Sequence, residues 1–455
     1  MTTPSAYGLI KEIIDNNEKT NEIIDFSRSN NILSSNQLRA LKRPGQSNKF
    51  PISVILNSMR DNIGSIKELI IKNPNIKSLI ELVVKETTLL SAFDDKKVFS
   101  KILSRSGIKH GNIVEITKLR SPLSYPFIVK TGKKSFFVKY IAPFGPKYVI
   151  RADPKEVIFK NLLGEYVFRE LFGESFVTKT IWPTFEIAES KRKLADSPNE
   201  SEILNERLII QECYTPEYIK LSDIDDLALV GNIFGNLIAN LHSGTMGLNN
   251  SNKGLVKKHI IEIRDRTLSE YIEWLEKANW VKKRFYALND MNNKDVITYL
   301  GKAKKRLNWE SLVKSSKFFW QEGAVLVTQD MRPKNIFYNR KKGTRIFDFD
   351  SLVFYDPSYH AAEVMFFCVK DITDKGVTDG TVLIDLVSNF LGEYLKSVDV
   401  KNQYTFLRSS TFRKSIVDYF IFFAMSRYLS DYVCGLTSSE KMQAVYETTI
   451  NLIKT

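Results

Sequence analysis

Apolar residues along the first 106 positions recur three and four apart. Leu9, Ile10, Ile13 and Ile14, then Ile23, Ile24 and Phe26, fall on one side of a helical wheel. The same period predicts helices over 62–71 and, after Asn73-Pro74-Asn75, over 76–90. Arg43-Pro44-Gly45-Gln46-Ser47-Asn48 reads as a break between them. From Gly111 the period shortens to two. Residues 113–119, 125–130 and 135–140 alternate as strands do, and Thr131-Gly132-Lys133-Lys134 predicts a tight turn joining the last two. Helical spacing returns over 154–172, an apolar run at 207–214 reads as a strand, and residues 244–323 are helical in character. Two β-like runs, 324–328 and 345–349, then flank a polar turn as the two strands of a hairpin. Apolar-periodic helices follow over 361–370, 381–395 and 411–429.

The pair of runs near residue 330 carries the most pointed chemistry. Asp330 lies just past the first run, Asn335 follows five residues later, and Asp348 ends the second. These are three oxygen donors brought to one place. Phosphoryl transfer uses such a set: one carboxylate orients the attacking hydroxyl, while an Asn and a second carboxylate hold Mg²⁺ on nucleotide phosphates.

Composition narrows the class. The 455 residues are 43% apolar and 12% aromatic, enough for two or three cored domains. No apolar run approaches the roughly 20 residues that span a bilayer, and the first residues lack the layout of a signal peptide. Cys213, Cys368 and Cys434 form no CxxC pair, which suits a reducing, cytoplasmic setting. His110, His242, His259 and His360 are too scattered to suggest zinc, and no phosphate-binding G-x-x-x-x-G-K-[ST] string occurs. The net charge of +14 is uneven: residues 101–160 carry 13 Lys and Arg against 3 acids, and residues 255–306 carry 13 against 7. Such tracts attract phosphates, nucleic acid or other anions, or are simply solvated.

Residues 325–364 resemble the catalytic segment of the aminoglycoside phosphotransferase and choline kinase-like family. That family's pattern runs H-G-D-L-x-P-x-N, then I-D-F-[DEG], then D-P-x-Y-D-L-A. This chain has Thr328-Gln329-Asp330-Met331-Arg332-Pro333-Lys334-Asn335, Ile346-Phe347-Asp348-Phe349-Asp350 and Asp356-Pro357-Ser358-Tyr359-His360-Ala361-Ala362. It departs twice: Thr328 replaces the His, and His360 replaces the second Asp. The resemblance implies an α+β, bilobal protein-kinase-like fold. A small antiparallel-sheet N-lobe would occupy 107–215 and a mostly helical C-lobe 216–455, with acceptor-binding helices at about 244–323. Residues 1–106 would form an appended helical domain.

The resemblance also distributes roles. Asp330 becomes the orienting acid, Arg332 a cation near the transferring phosphoryl group, Asn335 and Asp348 the Mg²⁺ ligands, and Asp350 a further acid beside them. Lys139, inward on its strand and costly there unless paired, becomes the phosphate clamp. Glu165 is its preferred partner on the next helix, with Glu156 and Glu170 as rivals. Ser121 and Ser124 stand in a phosphate-covering loop (RSPLS) that has no glycine. The backbone of Glu212, Cys213 and Tyr214 would meet adenine. ATP and Mg²⁺ are the implied cofactors, and the acceptor is an unidentified hydroxyl. The basic tracts argue against a polycationic acceptor and leave an anionic metabolite, a sugar of a surface polymer, a protein or an RNA, with the basic surfaces and the N-terminal domain as places where a protein or RNA partner would dock. A nucleotide-binding pseudokinase, or a kinase-fold effector that transfers phosphate or AMP, are the other readings.

Overall fold

A computed structural model describes residues 6–33, 49–67, 73–119, 121, 124–143, 153–192, 207–213, 217–246, 248, 261, 263, 307, 309–328, 331–349, 352–401, 405–424 and 438–454. The chain is α+β and divides into two compact units, residues 1–165 with 179–214, and residues 166–178 with 215–455. The break at 43–48, most of 244–323, the basic tract at 255–306 and the end of the last expected helix lie outside the described residues.

The first unit opens with helices α1 (Ala6–Asp15), α2 (Asn17–Ser29), α3 (Lys49–Asp61), α4 (Ile63–Lys67), α5 (Pro74–Ala92) and α6 (Lys96–Arg105). Asn16, Asn73 and Asp95 cap α2, α5 and α6 by accepting backbone N–H groups of the first turn. Strands β1 (Ile113–Lys118), β2 (Tyr125–Thr131), β3 (Ser135–Tyr140), β4 (Thr180–Trp182) and β5 (Leu208–Glu212) form one antiparallel sheet in the order β1-β2-β3-β5-β4. Between β3 and β4 run α7 (Pro154–Phe172) and, after β4, α8 (Phe185–Arg192).

Both faces of this sheet are covered. On one face Val129, Phe136, Val138 and Tyr140 pack with Phe93, Phe99, Ile102 and Leu103 of the preceding helices. The core therefore runs straight across residue 106. Earlier residues, from Ile10 to Val83, form a separate apolar cluster. A buried charge set ties helix to sheet on this side: Arg207 pairs with Glu86 of α5, and the Tyr140 hydroxyl donates to Glu86 Oε2 at 2.8 Å. Burial works against the Arg207 charge, but the Glu86 carboxylate more than offsets it, so the guanidinium stays charged. Removing one partner of such a pair costs about 3–5 kcal/mol. On the other face Ile141 and Ile209 meet Val157, Ile158 and Leu162 of α7.

In the second unit β6 (Ile219–Lys220) precedes α9 (Leu227–Thr245) and α10 (Trp309–Gly323). Strands β7 (Val325–Thr328), β8 (Ile336–Asn339), β9 (Gly343–Ile346) and β10 (Leu352–Tyr355) follow. After them come α11 (Pro357–Asp374), α12 (Gly380–Lys401), α13 (Ser410–Phe423) and α14 (Ser439–Lys454). Here the expected hairpin is corrected. β7 pairs with β10, not with the run at 345–349, while β9 pairs with β8, which the sequence presents as part of a turn. Phe337 and Tyr338 sit on a half-buried strand whose alternation is too short to register. Among the described residues no helix is long and apolar enough to cross a membrane.

α9 and α12 cross at unusually close range because Gly231 and Gly235 offer no side chain. A Cβ on Gly231 would lie 2.5 Å from the Leu386 carbonyl oxygen, and one on Gly235 would strike that of Phe390. Gly235→Ala is therefore expected to destabilise the chain by about 1–3 kcal/mol through overpacking. Gly392→Ala, on the same α12 but facing open space, should stabilise it by about 0.5–1 kcal/mol through helix propensity. Thermal denaturation of the two variants checks the contrast.

Candidate active site

In the first unit the site begins with the alternation of β3. Phe136, Val138 and Tyr140 face the helices α5 and α6, so Phe137 and Lys139 face the other way, toward α7. Lys139 stands opposite Ile209 in the ladder and is only 5% exposed. Glu165 of α7 is 3% exposed, and its position is fixed from β4. It accepts from the Thr180 N–H at 2.9 Å and from the Thr180 hydroxyl, which in turn accepts from Gln211 Nε2 at 3.0 Å. These donors satisfy the carboxylate on the covered face that carries the lysine. Nothing local in the sequence singles out Thr180 or Gln211.

The remaining residues expected here are placed as follows. The Ser121 and Ser124 hydroxyls lie 3.4 Å apart, with Ser124 buried and Ser121 half-buried. Glu212 ends β5 with an exposed side chain and donates its N–H to the Lys179 carbonyl at 3.0 Å; Cys213 donates its N–H to the Ser135 carbonyl at 3.3 Å. The other loop residues Arg120, Pro122 and Leu123, and Tyr214, lie outside the described residues.

In the second unit the backbone itself assembles a junction. Ile336 pairs with Ile346, and one step outward the Phe347 N–H donates to the Asn335 carbonyl at 2.9 Å. Asn335, buried at the end of a short 3₁₀ turn (Pro333–Asn335), is thereby set beside the start of the Phe347-Asp348 corner. From the end of β7 the Thr328 hydroxyl reaches the Asp348 carbonyl at 3.4 Å. Asp348 lies two residues past β9 and adopts φ 70°, in the left-handed region. Asp tolerates that conformation better than most residues, and such strain persists where the surroundings over-determine it. Asn335 and Asp348 are hard oxygen donors, and Mg²⁺ takes one or two carboxylates with phosphate and water completing its shell, so the pair fits that ion. Asp330 and Asp350 lie outside the described residues.

Arg332 is engaged within this unit. Its guanidinium forms an ion pair with Asp371 of α11 and stacks over Phe367 at 4.7 Å from the ring centroid. Both charged side chains are largely buried, with 16% and 10% exposure. The loop is thus clamped to α11 by a partner 39 residues away in sequence.

Solved structures similar to the chain include phosphotransferases and kinases of small molecules. An aminoglycoside phosphotransferase from Alicyclobacillus acidocaldarius is 8% identical, over 75% of this chain and 89% of its own, with a TM-score of 0.45. The choline kinase LicA of Streptococcus pneumoniae is 11% identical over 79% and 98%, with a TM-score of 0.39. Amicoumacin kinase hAmiN, solved with AMP-PNP and Ca²⁺, is 14% identical over 80% and 95%, with a TM-score of 0.45. No protein-family model and no curated protein matches the chain.

The left-handed Asp348 makes a separable prediction about stability. Asp348→Gly removes the carboxylate but relieves the backbone, whereas Asp348→Ala removes the carboxylate and adds strain. The glycine variant should therefore exceed the alanine variant in stability by about 1 kcal/mol, measurable by urea denaturation of the two side by side.

Proposed function

We propose that this chain is an ATP- and Mg²⁺-dependent phosphotransferase acting on a hydroxyl group. The observation that carries the reading is the junction at Asn335 and Asp348. A direct backbone hydrogen bond joins the two segments that carry these oxygen-donor residues, one of which has a left-handed backbone. Such a held pair costs conformational freedom and makes sense as a ligand set for a divalent cation.

In this reading Asn335 and Asp348 hold Mg²⁺, which supplies charge neutralisation on the nucleotide phosphates. Asp330, five residues before Asn335, would orient the acceptor hydroxyl and take its proton as the hydroxyl oxygen bonds the γ-phosphorus and the bond to the β–γ bridging oxygen breaks, with ADP as the leaving group. Lys139 binds phosphate oxygens, with Glu165 of α7 as its acidic partner. Arg332, held by Asp371 and Phe367, anchors the segment that follows Asp330.

The test is turnover of γ-labelled ATP with Mg²⁺, analysed for ADP against pyrophosphate. Wild type should release ADP and labelled phosphate to acceptor or water. Asp330→Ala and Asp348→Ala should each lower kcat by about 10³-fold, the scale expected for removing a preorganised charge from a transition state. Full turnover in Asp348→Ala would remove the metal assignment, and pyrophosphate release would reassign the reaction as AMP transfer.

A further inference from the structure

In the first unit three strands end together. Tyr125 opens β2, Tyr140 closes β3 and Leu208 opens β5, and the ladder pairs Tyr125 with Tyr140 and Tyr140 with Leu208. The next rung inward is Pro126, Lys139 and Ile209. Lys139 therefore stands one pair from the open end of the ladder, where backbone pairing frays most readily. Ser124, at the end of the loop before β2, adjoins the same end rung.

Each of the three strands is tied at that end to the N-terminal helices by polar groups. Arg60 Nη1 of α3 donates to the Tyr125 hydroxyl at 2.9 Å. The Tyr140 hydroxyl donates to Glu86 Oε2 of α5 at 2.8 Å. Arg207, one residue before β5, pairs with Glu86 Oε1 and reaches the Tyr140 hydroxyl at 3.4 Å. Its carbonyl accepts from the Ile141 N–H at 2.8 Å, which extends the β3–β5 pairing one step beyond the strands. Tyr125 and Tyr140 are 6% and 0% exposed, and burial pushes both phenols up, so each keeps its proton. The apolar core behind these strands is non-directional and resists their separation from the helices more than their fraying or sliding. Hydrogen bonds to a charged partner fix distance and direction as well.

We infer that Glu86 and Arg60 are positioning residues for Lys139. From the helices they close the end of the β2-β3-β5 ladder through Tyr125, Tyr140 and Arg207, and so keep the lysine's rung formed and in register. A one-residue slip of β3 would turn Lys139 into the aromatic core. The N-terminal helices thus complete the strand that carries the phosphate-binding lysine. The effect on nucleotide binding rests on the phosphotransferase reading; the hold on the rung does not.

The test combines hydrogen exchange of the full chain, read by mass spectrometry, with ATP turnover, on wild type, Tyr140→Phe, Tyr125→Phe and Ile102→Val. Each change of Tyr to Phe removes one oxygen and keeps the ring, whereas Ile102→Val trims the same aromatic core and removes none of the ties. Tyr140→Phe should speed exchange in peptides spanning 136–141 about ten-fold, and Tyr125→Phe in those spanning 125–130 about three-fold, with peptides of α7 unchanged. Ile102→Val should stay within about two-fold of wild type in both stretches. KM for ATP should rise about five-fold in Tyr140→Phe at nearly unchanged kcat, as when a group that binds substrate is displaced. Exchange at 136–141 that is unchanged in Tyr140→Phe, or that rises as much in Ile102→Val, would overturn the inference. So would an unchanged KM for ATP in Tyr140→Phe. If Tyr140→Phe fails to fold, Tyr125→Phe carries the comparison, and no change at 125–130 overturns the inference. Absence of turnover in wild type would remove the phosphotransferase reading and leave the exchange result to decide the hold on the rung.

Discussion

A sheet covered on both faces offers no wet side on which to park a charge, and the first unit is built around that constraint. β3 sends Val138 and Tyr140 into an aromatic core with Phe93 and Phe127, so Lys139 must go to the face that α7 covers. An ammonium enclosed there is tolerable only among fixed polar groups. The Glu165, Thr180 and Gln211 chain supplies such groups on that face. The aromatic side solves the same problem separately, enclosing Arg207 with Glu86 and Tyr140. Each charge in the sheet therefore dictates residues on an element distant in sequence.

The second unit faces the opposite difficulty. Its strands β7 to β10 are four residues each, too short to hold the turns between them by ladder bonds alone. Rigidity comes instead from outside the strands: Phe347 bonded to Asn335, Thr328 to Asp348, Arg332 clamped by Asp371. Irregular backbone of this kind is held in place by side chains of α11, a helix buried along most of its length. The close approach of α9 and α12 brings the Tyr394 hydroxyl to His242.

Much of the first unit was legible in the sequence because its signals are local. The alternation over 135–140 matches β3, the helical period over 154–172 matches α7, and the inward direction of Lys139 follows from period two alone. β4 escaped notice because three residues cannot display a period, and β10 because Leu352-Val353-Phe354-Tyr355 is apolar throughout. The spacing of Asn335 and Asp348 was visible, but the pairing that joins them was not, since β7 takes its partner from beyond the hairpin. Contacts such as Arg332 with Asp371, or His360 with His242, link residues whose separation carries no local pattern.

The shared core between the N-terminal helices and the sheet bears on how such a chain can evolve. A domain joined by a linker can be gained, lost or exchanged as a cassette. Phe93, Phe99, Ile102 and Leu103 instead complete the interior against which β2 and β3 are packed. A lineage that dropped these helices would have to repaint one face of the sheet with polar residues and dispose of Arg207 at the same time. The extension and the sheet are thus bound to change together, residue against residue, like the two sides of one fold.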